Sequence, residues 1–130
     1  MIVAFVQARM SSSRLPGKVM LPIAGRPMLW HLWRRLSQAR TLDKVVVATG
    51  DASSNEPIVQ FCAENKILCF QGSEDDVVGR VYQAALAYKA DTIVAITGDC
   101  PLIDPQITDH VVQESQLYKP DLCATSPSFT

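Results

Sequence analysis

Short runs of wholly apolar residues, separated by stretches of helical periodicity, constrain this chain most. Ile2–Gln7 is rich in β-formers and reads as a buried strand. Lys44–Thr49 (KVVVAT), Ile67–Gln71 and Thr92–Ile96 read the same way, and Asp121–Ala124 is a candidate further strand. Pro27 opens a helix to about Ala39, with Met28, Leu29, Leu32 and Leu36 at helical spacing. Glu56–Asn65 reads as a second helix. Ser73 and Asp76 have capping-box-like spacing, with Asp where Glu or Gln is usual, and start a third helix running to about Tyr88. Asp104 and Pro105 supply an N-cap and a first-turn proline for a last helix to about Leu117. Strands with no polar face need cover on both sides. The alternation therefore predicts an α/β three-layer sandwich with a mostly parallel sheet.

Composition narrows the class. A chain of 130 residues with 48% apolar and 19% charged residues suits one globular domain with its own core. A formal net charge of -1 provides no basic field for nucleic acid or an acidic membrane. No apolar run approaches the ~20 residues of a membrane span. Met1–Gln7 is short and is followed, not preceded, by a positive charge, unlike a signal peptide. Cys62, Cys69, Cys100 and Cys123 form no Cys-x-x-Cys pair and have no His at zinc spacing, so free thiols in a cytoplasmic protein are expected. His31 and His110 fall within helices and read as structural. Trp30 and Trp33, three apart, either widen the core stripe of their helix or form a partner surface.

In parallel sheets of this kind ligands bind outside the carboxyl ends of the strands. That puts Ala8–Lys18, Gly50–Ser54, Gly72–Asp76 and Gly98–Leu102 on one rim. The first loop, Gln7-Ala8-Arg9-Met10-Ser11-Ser12-Ser13-Arg14-Leu15-Pro16-Gly17-Lys18, carries three cations among small residues. Small residues let backbone N–H groups converge on an anion, and Arg9, Arg14 and Lys18 add charge-assisted donors suited to a polyphosphate. The loop is neither a Walker A motif nor a Rossmann fingerprint. Basic surface loops are common, so spacing alone leaves a solvated loop as the competing reading. Asp99, beside Gly98 at a strand end, is placed either to hold a metal ion or to make local turn hydrogen bonds. Asp76 and Arg80, four apart, are placed to pair on the surface of their helix.

The first loop, continued by Ile23-Ala24-Gly25-Arg26-Pro27-Met28, resembles the signature of the acid-sugar cytidylyltransferases, the group of CMP-KDO and CMP-sialic acid synthetases. The similarity is greatest to the branch associated with spore-coat polysaccharide biosynthesis. It continues in order through Val45–Thr49, Gly72-Ser73-Glu74-Asp75-Asp76 and Thr97-Gly98-Asp99-Cys100-Pro101-Leu102-Ile103-Asp104. Two positions depart from the KDO type. Thr97 stands where those enzymes carry a Gln near the base, and Cys100 where they carry Glu, a Cys commonly shared by the spore-coat branch.

The resemblance implies a nucleotidyltransferase or GT-A-like fold and transfer of CMP from CTP to a sugar or sugar acid, with release of pyrophosphate. It implies that Arg14 and Lys18 bind the phosphates, that Ala8, Arg9, Met10, Ser11, Ser12 and Ser13 line the nucleotide, and that Asp99 holds Mg²⁺. It also turns Thr97, Asp76 and Arg80 toward the nucleotide or sugar, and it allows a homodimer. Two other readings share the architecture: a glycosyltransferase or other sugar nucleotidyltransferase, and a nucleotide-binding domain without turnover. The latter is motivated by length, since members of the family are longer. Residues 1–130 are accordingly expected to be a single nucleotide-binding domain, the N-terminal part of a longer family architecture, and to bind nucleotide with little turnover alone.

Overall fold

The computed structural model describes residues 1–11, 15–98 and 102–119. Along the chain run β1 (Ile2–Gln7), the short strands β2 (Pro22–Ile23) and β3 (Arg26–Pro27), α1 (Met28–Leu36) and β4 (Lys44–Gly50). They are followed by α2 (Glu56–Glu64), β5 (Leu68–Gly72), α3 (Val77–Ala87), β6 (Thr92–Thr97) and α4 (Pro105–Tyr118). The main sheet has the order β5-β4-β1-β6, and every neighbouring pair is parallel. Phe5 lies between Val46 on one side and Ala95 on the other. The expected α/β fold with a parallel sheet is the one observed.

Two apolar layers hold the sheet. Ala4, Val6 and Val47 meet Leu29, Leu32 and Leu36 of α1 and Ile58, Phe61 and Cys62 of α2. On the opposite face Val3, Phe5, Val46 and Ala48 meet Val81, Ala84 and Ala85 of α3. This is the alternation that a strand buried on both sides requires. The Cys62 and Cys69 thiols are free. Hydrogen bonding with Cys69, together with burial, pushes the Cys62 thiol up. Cys100, Cys123 and the candidate strand at Asp121–Ala124 lie outside the described residues.

Several local expectations are corrected. Residues 22–27 form an antiparallel ribbon, β2 with β3, in which Pro22 faces Pro27 and Ile23 faces Arg26. Pro27 is therefore the N-cap of α1 and not its first residue, and α1 closes at Leu36, where Ser37 Oγ donates to the Trp33 carbonyl at 2.7 Å. Asp76, not Ser73, caps α3: its carboxylate accepts from the Gly79 N–H at 2.9 Å, while Ser73 Oγ accepts from the Asp76 N–H. Nor, among the described residues, is β6 covered on both faces. Ile93, Ala95 and Thr97 are exposed, because α3 packs over β5, β4 and β1 and stops short of this edge strand.

Other expectations hold. Asp104 caps α4 by accepting from the Gln106 N–H at 2.8 Å. His31 Nε2 donates to the Ile23 carbonyl and ties the ribbon to α1, while His110 faces Glu114 one turn on. Trp30 and Trp33 are half-buried against the α1 core, with the Arg26 guanidinium 4.3 Å above the Trp30 ring, so they widen the core stripe. Among the described residues no helix is long and apolar enough to cross a membrane.

One anion fixes α4 to the turn after α1. The Asp109 carboxylate accepts from the backbone N–H groups of Arg40 (2.9 Å) and Thr41 (2.8 Å) and from the Thr41 hydroxyl. Burial alone would raise its pKa, but the hydroxyl, the two N–H groups and the Arg40 charge together hold it below the usual carboxylate range. A depressed folded pKa gives stability that is present above the unfolded value and lost as pH falls through the folded value. Asp109→Ala should therefore cost about 1–3 kcal/mol at neutral pH. The gap to wild type in urea titrations should close as the solution is acidified through and below the carboxylate range. A gap independent of pH would contradict this role.

Candidate functional site

Because all four strands are parallel, their carboxyl ends share one rim. Gln7 stands level with Thr97, and Gly50 with Gly72. Two close approaches there require glycine. A Cβ on Gly98 would lie 2.5 Å from the Gln7 carbonyl oxygen, so the chain leaving β6 passes directly against the exit of β1. A Cβ on Gly50 would lie 1.8 Å from Glu74 Oε1, so the end of β4 leaves room for a carboxylate to cross it.

That carboxylate joins three loops. Glu74 Oε1 accepts from Asn55 Nδ2 at 2.6 Å, and Oε2 accepts from Ser11 Oγ at 3.1 Å, with Arg9 Nη1 at 3.7 Å. Asn55 is fully buried, and its Oδ1 accepts from the Met10 N–H at 2.8 Å. The Glu74 carbonyl accepts from both Arg9 (3.2 Å) and Arg80 (3.4 Å), and Arg80 also donates to the Ser73 carbonyl at 3.0 Å. Burial lowers the Arg80 pKa, with Glu74 opposing the effect and Arg9 adding to it. Buried polar groups need partners. Arg80 Nε and Thr49 Oγ1 have none among the described residues, and both lie near this rim.

The first-loop residues emerge in series from β1. Ala8 is buried and donates its N–H to the Ala48 carbonyl at 3.1 Å, while Arg9 and Ser11 reach across to Glu74. The Gly17 N–H donates to the Met10 carbonyl at 2.7 Å and closes the base of the loop, with Gly17 in the left-handed region at φ 74°. Lys18 follows at once, half-buried at the start of a tight turn, with no ion pair among the described residues. Thr97 is exposed at the end of β6. Asp76 and Arg80 do not form the expected surface pair: Asp76 is committed to capping, and Arg80 is 2% exposed with its guanidinium on backbone carbonyls. Ser12, Ser13, Arg14 and Asp99 lie outside the described residues. Among the described residues no three His, Cys, Asp or Glu side chains converge as a metal site.

Asn55 and Glu74 were not singled out by sequence as site residues. The only signal was the placement of Glu74 within the Gly-Ser-Glu-Asp-Asp run. A shallow cleft of about 290 Å³, lined by Trp33, Leu42, Lys44, Lys66 and Leu68 among others, lies at the opposite, amino end of β4 and β5. It shares no residue with the rim.

Residues 3–125 match the profile of the cytidylyltransferase family. The chain belongs to that family. Among its relatives, the spore coat polysaccharide biosynthesis protein SpsF of Bacillus subtilis is 34% identical over 116 residues, which is 86% of this chain and 48% of SpsF. A cytidylyltransferase structure from Leptospira borgpetersenii superposes with a TM-score of 0.85 at 37% identity, covering 92% of this chain and 50% of that one. A CMP-2-keto-3-deoxy-manno-octonic acid synthetase solved with CTP superposes with a TM-score of 0.80 at 29% identity, covering 88% and 47%. The chain thus spans about half the length of the family members it matches.

The contact at Gly98 is with main chain, which cannot swing aside as a side chain can. Gly98→Ala should therefore lower stability by about 1–3 kcal/mol through overpacking. A thermal melt unchanged from wild type would show that the exits of β1 and β6 are further apart than described.

Proposed function

We propose that the rim binds CTP, and that the chain provides the nucleotide side of an enzyme transferring CMP to a sugar or sugar acid. The observation that supports this best is the first loop. It is closed at its base by Gly17 and Met10, tethered to Asn55 and Glu74, and delivers a half-buried Lys18 that has no ion pair among the described residues. Fixed cationic donors stabilise charge without reorganising during reaction.

In the proposed reaction an acceptor oxygen attacks the α-phosphorus in line, and the bond to the bridging oxygen of pyrophosphate breaks. Lys18 and Arg14 hold the departing pyrophosphate. The chain after β6 starts beside the exit of β1, since Gly98 lies on the Gln7 carbonyl, and Asp99 comes next in sequence. A carboxylate so placed, with phosphate oxygens and water, suits Mg²⁺, which would neutralise phosphate charge. Thr97 is exposed at the same strand end, and in this reading it meets the base or the sugar. Arg80 and Asp76 contribute by shaping the Ser73–Asp76 turn from within. The free thiols of Cys62 and Cys69 fit a cytoplasmic enzyme.

Calorimetric titration tests this reading. CTP should bind more tightly than ATP, GTP or UTP, and equal affinities would contradict cytidine specificity. Lys18→Ala and Arg14→Ala should each weaken triphosphate binding by about 1.5–3 kcal/mol, the worth of a charged hydrogen bond. Asp99→Asn should abolish the dependence of binding on Mg²⁺. Wild-type affinity in both basic-site variants would place the phosphates elsewhere.

A further inference from the structure

We propose that Glu74 is a positioning residue, which holds Met10 and Ser11, at the start of the loop after β1, in place to receive a triphosphate. The proposal rests on the triphosphate reading above. Its basis is a continuous path of hydrogen bonds across three strand ends. The Met10 N–H donates to Asn55 Oδ1, Asn55 Nδ2 donates to Glu74 Oε1, and the Ser11 hydroxyl donates to Glu74 Oε2. Both ends of the Asn55 amide are thereby committed, which fixes its orientation. The backbone of Glu74 is itself pinned by Arg9 and Arg80 through its carbonyl. Gly50 provides the gap through which the carboxylate passes.

Charge makes the arrangement informative. The Glu74 side chain is 19% exposed and stands beside Ser11 and Arg9. A carboxylate there repels an incoming polyanion and partly neutralises Arg9, so on Coulombic grounds alone it opposes triphosphate binding. Its contribution lies in geometry. It supplies two acceptors that set Asn55 and Ser11, and through Asn55 the Met10 N–H. Preorganised loops spend less binding energy on ordering when the ligand arrives. Two conservative variants separate geometry from charge. Glu74→Gln keeps the reach and offers an oxygen to Asn55 and an amide to Ser11, without the charge. Glu74→Asp keeps the charge but is one methylene short, and cannot span from Asn55 to Ser11.

The test is titration of the full chain with inorganic triphosphate and with CTP, alongside amide hydrogen exchange of the free protein. Glu74→Asp and Glu74→Ala should bind both ligands about tenfold more weakly, the equivalent of one lost hydrogen bond to a charged group. Glu74→Gln should bind at least as tightly as wild type. Exchange at the Met10 amide should accelerate in the Asp and Ala variants, with Phe5 and Val47 in the sheet core unchanged. A loss confined to fold stability would speed exchange at all three amides and overturn the proposal. So would tighter binding by Glu74→Ala, or weaker binding by Glu74→Gln than by Glu74→Asp. If wild type binds neither ligand, the triphosphate reading falls, and exchange at Met10 still decides whether Glu74 orders the loop.

Discussion

The pairing of β1 with parallel strands on both of its edges is the constraint on which the rest depends. Val3, Ala4, Phe5 and Val6 are all fully buried, and each is paired in register with β4 on one side and β6 on the other. Parallel neighbours cannot be joined by tight turns, so each connection must cross a face of the sheet. The crossings leave α1 and α2 on one face and α3 on the other. The direction of travel reverses between β1 and β6. In open parallel sheets such a switch point is where ligands bind, outside the carboxyl ends of the strands. The contact of Gly98 with the Gln7 carbonyl lies at that point, where Ala8 and Arg9 leave β1.

Electrostatics at the rim follow from this placement. Two guanidinium groups and one carboxylate meet where three loops converge. Arg80 is withdrawn from solvent and spends its hydrogen bonds on the carbonyls of Ser73 and Glu74. Burying a guanidinium is costly unless its donors are used, and here the carbonyls at the head of α3 serve as acceptors. Arg9 is more exposed and is shared between the Glu74 carbonyl and its carboxylate. The outcome is a division of labour: Arg80 fixes the turn, Glu74 fixes the first loop, and Lys18 is left without an ion partner among the described residues, at the position where a phosphate is proposed to lie.

Much of the fold was legible because burial on two faces leaves a simple trace. KVVVAT can be little other than a central strand, and Asp104-Pro105 carries both the cap and the first-turn proline of α4. The failures have physical causes. The ribbon of β2 and β3 is only two residue pairs long, too short for any alternation to register. The cap of α3 slipped from Ser73 to Asp76 because both side chains accept N–H bonds within one turn, and only tertiary contacts choose between them. β6 reads as a buried strand, yet among the described residues one face is exposed, since which strand α3 covers is not a local property. Of the site, the basic loop and the acidic motif were visible as charge among small residues. Asn55 was not, because a buried amide joining two loops has no spacing rule. Arg80 looked like half of a surface pair until the path of its side chain was seen.

The central claim is that function resides on the carboxyl rim and not in the cleft at the amino end of β4 and β5. Backbone amide shift mapping during a CTP titration with Mg²⁺ tests it most directly. The account predicts the largest changes at Ala8–Ser11, Lys18, Ser73, Glu74 and Gly98, with Trp33, Leu42, Lys44 and Lys66 unmoved. Changes centred on that opposite cleft, with the rim silent, would contradict it.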